Sequence, residues 1–403
     1  MEMSPAERTR GLASIPQFDI FRAIIVENIG YLPEITVEGG AYGHRVRIFR
    51  GPPAIEVRYS EQSLARYIEL SDVVTRAAGH ASAPYLASCL FCTQGAELLR
   101  GNRLVGLAFI AHGFQTVLYR KLPYGEIIDT AISQASLAVE PNVFALINLF
   151  LPLAHEIGHV PEAQALCPAV VMGPAIHDTY RLNYDEVARF TGNFAYEDSL
   201  DNVTSPLHLN TLREEIAGDY FAVCTIFWLV SRVLKEGDVF PIYIVAMALF
   251  MFPLVMALDS VCLSAGKTDR AIQDTVLALH CRYSVIADAI LMCVKHFFRG
   301  SKVQAEGKNQ LQEALNRMSE IYGLTWNGIK QNQNEVLPLL NLDSEDAIFA
   351  YFAEATLDSK QLLAISAYLD LIMHEVEPYS LSAHNSKEFM KLSHWIRQVA
   401  SRL

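Results

Sequence analysis

The sequence predicts a mainly α-helical protein with a small N-terminal antiparallel β element, an α+β chain in which helix dominates. Two observations predict it. Apolar and charged residues alternate in Arg45-Val46-Arg47-Ile48 and in Ile55-Glu56-Val57-Arg58-Tyr59, the period of half-exposed strands. From Glu61 onward apolar positions instead recur at helical intervals, as in Leu311, Leu315, Met318 and Tyr322 ahead of Gly323. With 51% hydrophobic and 19% charged residues in 403, there is ample material for a large core.

Taken in order, residues 34–59 are expected to form the sheet. Gly39-Gly40-Ala41-Tyr42-Gly43 lacks the Lys-Ser/Thr ending of a phosphate loop and reads as a turn, and Gly51-Pro52-Pro53 separates the two alternating runs. Leu64, Ile68 and Val74 begin the helical texture. The run from Pro84 to Leu99 is helical and holds Cys89 and Cys92; a zinc knuckle needs a second pair, so these read as packed core thiols. Residues 160–208 carry Pro161, Pro168, Gly173, Pro174, Gly192 and Pro206. A connection that long is expected to be functional. Asp358 reads as the N-cap of a helix to about Glu375. The expected division is an N-terminal β element over 1–60, a catalytic domain over 61–265 and a helical C-terminal domain over 266–403.

Charge and cysteines narrow the class. Forty-four acidic against 32 basic residues give a net charge of −12, which argues against a partner such as nucleic acid, whose phosphates require clustered Lys and Arg. Seven sparse cysteines are not a secreted disulfide framework. The first ten residues contain no apolar h-region, so a cytoplasmic chain is expected. Residues 239–258 bear no charge and are long enough to span a bilayer, but Pro241 and Pro253 interrupt them. Membrane association through this run is the alternative; a buried helix is the preferred reading.

Chemistry concentrates in His155-Glu156-Ile157-Gly158-His159, an H-E-x-x-H sequence within an apolar run (Leu149, Phe150, Leu151, Leu153, Ala154, Ile157, Val160). On a helix, positions i and i+4 differ by about 40° in azimuth, so both imidazoles project from one face. Two neutral imidazoles so placed can bind Zn²⁺, and Glu156 can take a proton from an activated water. Pro152 is expected in the first turn of that helix or at a kink just before it. A catalytic zinc normally takes three protein groups. Downstream, Glu215 and Asp219 lie four apart in the helical-looking run Arg213–Ala222 and share a face; one could ligate while the other hydrogen-bonds a ligating histidine. Helix register sets the adjacent Glu214 on another face.

These stretches resemble the gluzincin metallopeptidases, in which H-E-x-x-H is completed by a downstream E-x-x-x-D. The resemblance implies a zincin-like catalytic core, with His155, His159 and Glu215 as zinc ligands, Glu156 as general base, and Asp219 as the hydrogen-bond partner of His155. It covers residues 155–219, and the His159–Glu215 spacing is longer than in the thermolysin-like branch. The Ala-His-Glu-Ile-Gly-His run with its Glu-Glu helix is also similar to intracellular bacterial peptidases of the Lit type. His177 and His208 read as surface or loop-capping residues. Tyr180, Tyr184 and Tyr220 are equivalent as oxyanion donors. The expected function is a zinc-dependent intracellular endopeptidase acting on protein or peptide substrates. The alternatives are a non-catalytic or regulatory protein retaining a structural zinc, and a membrane-embedded zinc protease.

Overall fold

The computed structural model describes residues 16–38, 45–48, 55–60, 82–98, 103–119, 143–168, 206–234, 242–263, 269–297, 302–342, 359–376 and 393–398, with isolated positions at 67–78, 344–351 and 400–401. Helix dominates, as the periodicity predicts. The elements are α1 (Pro16–Ile29), β1 (Glu34–Glu38), β2 (Arg45–Ile48), β3 (Ile55–Ser60), α2 (Ala83–Leu98), α3 (Arg103–Tyr119), α4 (Val143–Ile157), α5 (Pro161–Gln164), α6 (Pro206–Val233), α7 (Ile242–Leu263), α8 (Asp269–Phe297), α9 (Lys302–Leu340) and α10 (Ser359–Val376).

The β element departs from the purely antiparallel expectation. Strand order is β1-β3-β2: β2 pairs antiparallel with β3 (Val46 opposite Val57), but β1 pairs parallel with β3 (Ile35 opposite Val57). Alternation fixes which side chains share a face, not which strand lies beside which. A parallel pair needs a crossover, and here β2 is part of that crossover. The turn expected at Gly39–Gly43 lies outside the described residues.

The chain divides into two compact units, each assembled from separated stretches: residues 1–68, 138–257 and 269–319 in one, and 69–137, 258–268 and 320–403 in the other. In the first unit, α6 packs along α4, α8 and α1. Phe21 of α1 stacks on Phe150 of α4, ring centroids 4.9 Å apart and both side chains fully buried. Pro152 sits inside α4 rather than at its start, because the apolar run from Val143 already forms the preceding turns.

In the second unit α2 and α3 pack side by side. Cys89 and Cys92 are buried on α2 and in no disulfide, packed thiols as the sequence predicts. Gln94 and Asn332 exchange amide hydrogen bonds of 3.1 and 2.8 Å in the core, and His112 joins Tyr351 and Glu335 at 2.6 Å each. Helix α9 runs through Gly323 without a break, and α10 starts one residue after Asp358.

Among the described residues, two helices are long and apolar enough to cross a membrane, Leu212–Val233 and Ile242–Asp259. Of these windows 67% and 72% is buried inside the protein, the pattern that core helices also give.

Candidate metal centre

Helix α4 ends at Ile157, so His155 and Glu156 stand on its last turn while His159 lies beyond it. This corrects the expectation of one continuous helix through the motif. Pro161 starts α5, and the residue before a proline is pushed out of the α region; Val160 accordingly is extended (φ −70°, ψ 138°). The chain tightens on the way: Gly158 N–H still reaches Ala154 O, but His159 N–H donates to Glu156 O at 3.2 Å and Val160 N–H to Ile157 O at 3.0 Å. The tighter turn still leaves the His155 and His159 rings 4.9 Å apart, edge to face.

Glycine brings the second motif to the first. A Cβ on Gly158 would stand 2.6 Å from Gly218 Cα, and one on Gly218 would stand 2.9 Å from Cε1 of the His155 ring. Only two glycines permit α6 to lie this close to the end of α4. Glu215 and Asp219 flank Gly218 and are thereby laid against the histidines.

The expected residues meet. His155 Nε2 is 3.3 Å from Glu215 Oε2, His159 Nε2 is 3.9 Å from Glu215 Oε1, and His155 Nδ1 is 3.0 Å from Asp219 Oδ1. The Nδ1 nitrogen is not well aligned for a hydrogen bond, but both groups are buried and Asp219 is the acceptor within reach. Donor atoms of His155, Glu156 and His159 also lie within 4.8 Å of one another, so Glu156 competes with Glu215 for the third place around an ion. Glu214 points outward and is exposed, as its register requires.

A further cation sequence reading did not place here is Arg282 of α8. Its Nε donates to Asp219 Oδ2 at 2.7 Å, its Nη2 to Asp219 Oδ1 at 2.8 Å, and its Nη1 lies 3.2 Å from Glu215 Oε2. A signal was present: Arg282 falls between Leu279 and Ile286 on the stripe that continues through Ala289, Ile290 and Cys293, all buried. Phe252 of α7 closes one side, its ring 5.0 Å from that of His155.

Burial and these contacts set the protonation states. Burial opposes a charge on His155, but Asp219 and Glu215 outweigh it and raise the ring from 6.5 to about 9. Burial lowers His159 to about 4, reinforced by the His155 charge. Burial raises the Glu156 carboxyl to about 7. Burial would also raise Glu215 and Asp219, yet Arg282 and His155 together hold both well below the usual carboxylate range.

This donor set fits a divalent metal. A tetrahedral site with bonds of about 2.0–2.2 Å to nitrogen and oxygen has edges of about 3.3–3.6 Å. The His155–Glu215 separation of 3.3 Å equals such an edge, and the His159–Glu215 separation of 3.9 Å is a little longer. Asp219 and Glu215 share the one guanidinium of Arg282, so one of their two negative charges is left to the proton on His155. A cation taking that proton's place would balance the same carboxylate charge.

Tyr220 donates to Cys224, which with burial pushes its phenol above the ordinary range. His208 lies in the first turn of α6. His177, Tyr180 and Tyr184, with most of the long connection, lie outside the described residues. Comparison of the chain with protein-family models, with curated proteins and with solved structures gives no match.

Proposed function

We propose that the protein is a zinc-dependent metallopeptidase of gluzincin type, with a zincin-like catalytic core, acting inside the cell on protein or peptide substrates. The observation that carries this reading is the convergence of His155, His159 and Glu215 from two chain segments beside Glu156. His155, His159 and Glu215 would hold the metal. When bound, the metal supplies Lewis acidity that polarises a carbonyl and water.

The protein's own groups do the rest. Asp219 holds the Nδ1 side of His155 and leaves Nε2 turned to Glu215. Glu156, with its carboxyl raised to about 7, sits near the pH at which a carboxylate both accepts a proton from water and returns it to a leaving amine. His155 is almost fully enclosed, whereas His159 and Glu215 keep side-chain exposures of 17% and 36%. That open side favours catalysis over a closed structural metal, which has four protein ligands and no access for a substrate.

The test joins metal analysis to turnover. Purified protein is expected to hold about one zinc per chain, and His155→Ala with His159→Ala to remove it. Glu156→Gln is expected to keep zinc and fold while slowing cleavage, surveyed across a proteome-derived peptide library, by about 10²–10⁴-fold. Zinc retained in the double histidine variant would refute the site. Full zinc with no cleavage by wild-type protein would leave the non-catalytic reading.

A further inference from the structure

Arg282 plays no part in the proton transfers proposed above, yet it is buried and commits all its guanidinium nitrogens to the metal centre. Nε and Nη2 grip the two oxygens of Asp219 at 2.7 and 2.8 Å, and Nη1 reaches Oε2 of Glu215 at 3.2 Å. Two of the three oxygens it touches are ones His155 also uses. Asp219 Oδ1 is shared between Arg282 Nη2 and His155 Nδ1, and Glu215 Oε2 between Arg282 Nη1 and His155 Nε2. One rigid fork from α8 therefore spans two carboxylates a turn apart on α6. Phe252 lies beneath it, the guanidinium carbon 6.0 Å from the ring centroid, and also packs on His155.

We propose that Arg282 is a positioning residue of the metal centre: its fork fixes the orientation of Asp219 and Glu215, and through them aims His155 and Glu215 at a common point. The proposal rests on reading His155, His159 and Glu215 as the metal-binding group. A residue that only neutralised buried charge would be replaceable by lysine. A positioning residue would not, because an ammonium is a point charge that cannot grip one carboxylate with two parallel bonds while touching a second.

The experiment compares full-length wild type, Arg282→Lys, Arg282→Met, Asp219→Asn and the double variant Asp219→Asn/Arg282→Met, which removes the opposed charges together and closes the cycle of Arg282→Met with Asp219→Asn. Metal-free protein is titrated with zinc against a chromophoric chelator. In parallel, the Nδ1 proton of His155, expected to exchange slowly because the ring and Asp219 are both buried, is followed by NMR in metal-free, histidine-labelled protein. Arg282→Lys is expected to lower zinc affinity about 10–100-fold, the usual penalty for loosening a ligand's support, and to lose the protected Nδ1 proton. The double variant is expected to fall short of the product of the single losses by at least about tenfold, as members of one network do. Wild-type affinity with the Nδ1 proton intact in Arg282→Lys would overturn the proposal, even with a lowered melting temperature. So would losses in the double variant that simply multiply. If Arg282→Lys does not fold, the double variant against Asp219→Asn decides. If wild-type protein binds no zinc, the metal reading fails by itself. The Nδ1 proton then judges Arg282 alone: loss in Arg282→Lys supports it and persistence overturns it.

Discussion

In the proposed site, His155 is contested between a proton and a metal. Without an ion, Asp219 and Glu215 keep the ring protonated up to about pH 9. A metal binds imidazole only after the proton leaves, so zinc affinity is expected to climb about tenfold per pH unit below pH 9 and then level. His159, lowered to about 4, adds nothing to that slope above pH 5. Calorimetric titration at pH 7 in two buffers of different ionisation enthalpy would read about one proton released per zinc. A flat affinity between pH 6 and 9 would contradict the charge arrangement. The sign for stability follows from the same shift. A raised histidine pKa stabilises the metal-free fold fully below 6.5, and that contribution is lost as pH rises through about 9.

Helices α4 and α6 meet through glycine, and the site is as sensitive to that contact as to its ligands. Gly218→Ala would set a methyl group 2.9 Å from the His155 ring, against a wall already formed by Phe252. Overpacking of this kind costs about 1–3 kcal/mol, and here relief requires the ring to move. The expected outcome is a lower denaturation midpoint together with a zinc affinity reduced more than about tenfold. Gly323→Ala supplies the contrast: a Cβ there meets nothing within 4 Å, and removing glycine from a helix interior stabilises by about 0.5–1 kcal/mol. Should Gly218→Ala behave like Gly323→Ala, the close approach of α6 to α4 is wrong.

For the whole molecule, the question is where the apolar helices go. Most of α7 and of the apolar part of α6 is already covered by protein, and the second of these helices carries Asp219 on its buried side with the partly exposed Glu215 a turn before it. We expect a soluble protein, recovered in the supernatant after lysis without detergent. Recovery only in carbonate-resistant membranes would favour the membrane-embedded alternative and place both metal-site carboxylates in a helix that crosses lipid.

Local pattern made much of this legible. Helical periodicity foretold α2 and α10 to within about a residue of their ends and marked residues 311–322 as helical without the extent of α9, which runs on through Gly323, and strand alternation located β2 and β3. Helix register told Glu215 and Asp219 from Glu214, since two residues four apart share a face whatever lies beside them. The H-E-x-x-H residues declared themselves as polar groups in an apolar run, where burial is costly unless they are paired or ligating. Other features had no local signature. The parallel pairing of β1 with β3 depends on a crossover, and the two compact units are built from stretches far apart in sequence. The end of α4 before His159 was written in Pro161, but its effect on ring placement depends on the tight turn that follows. Arg282 stood in the sequence as a charge on an apolar stripe; nothing local could say which carboxylates it would meet. Periodicity and residue chemistry act over a turn or a strand and so are read from the chain alone, whereas partners across a core are chosen by packing, which exists only once the helices are assembled.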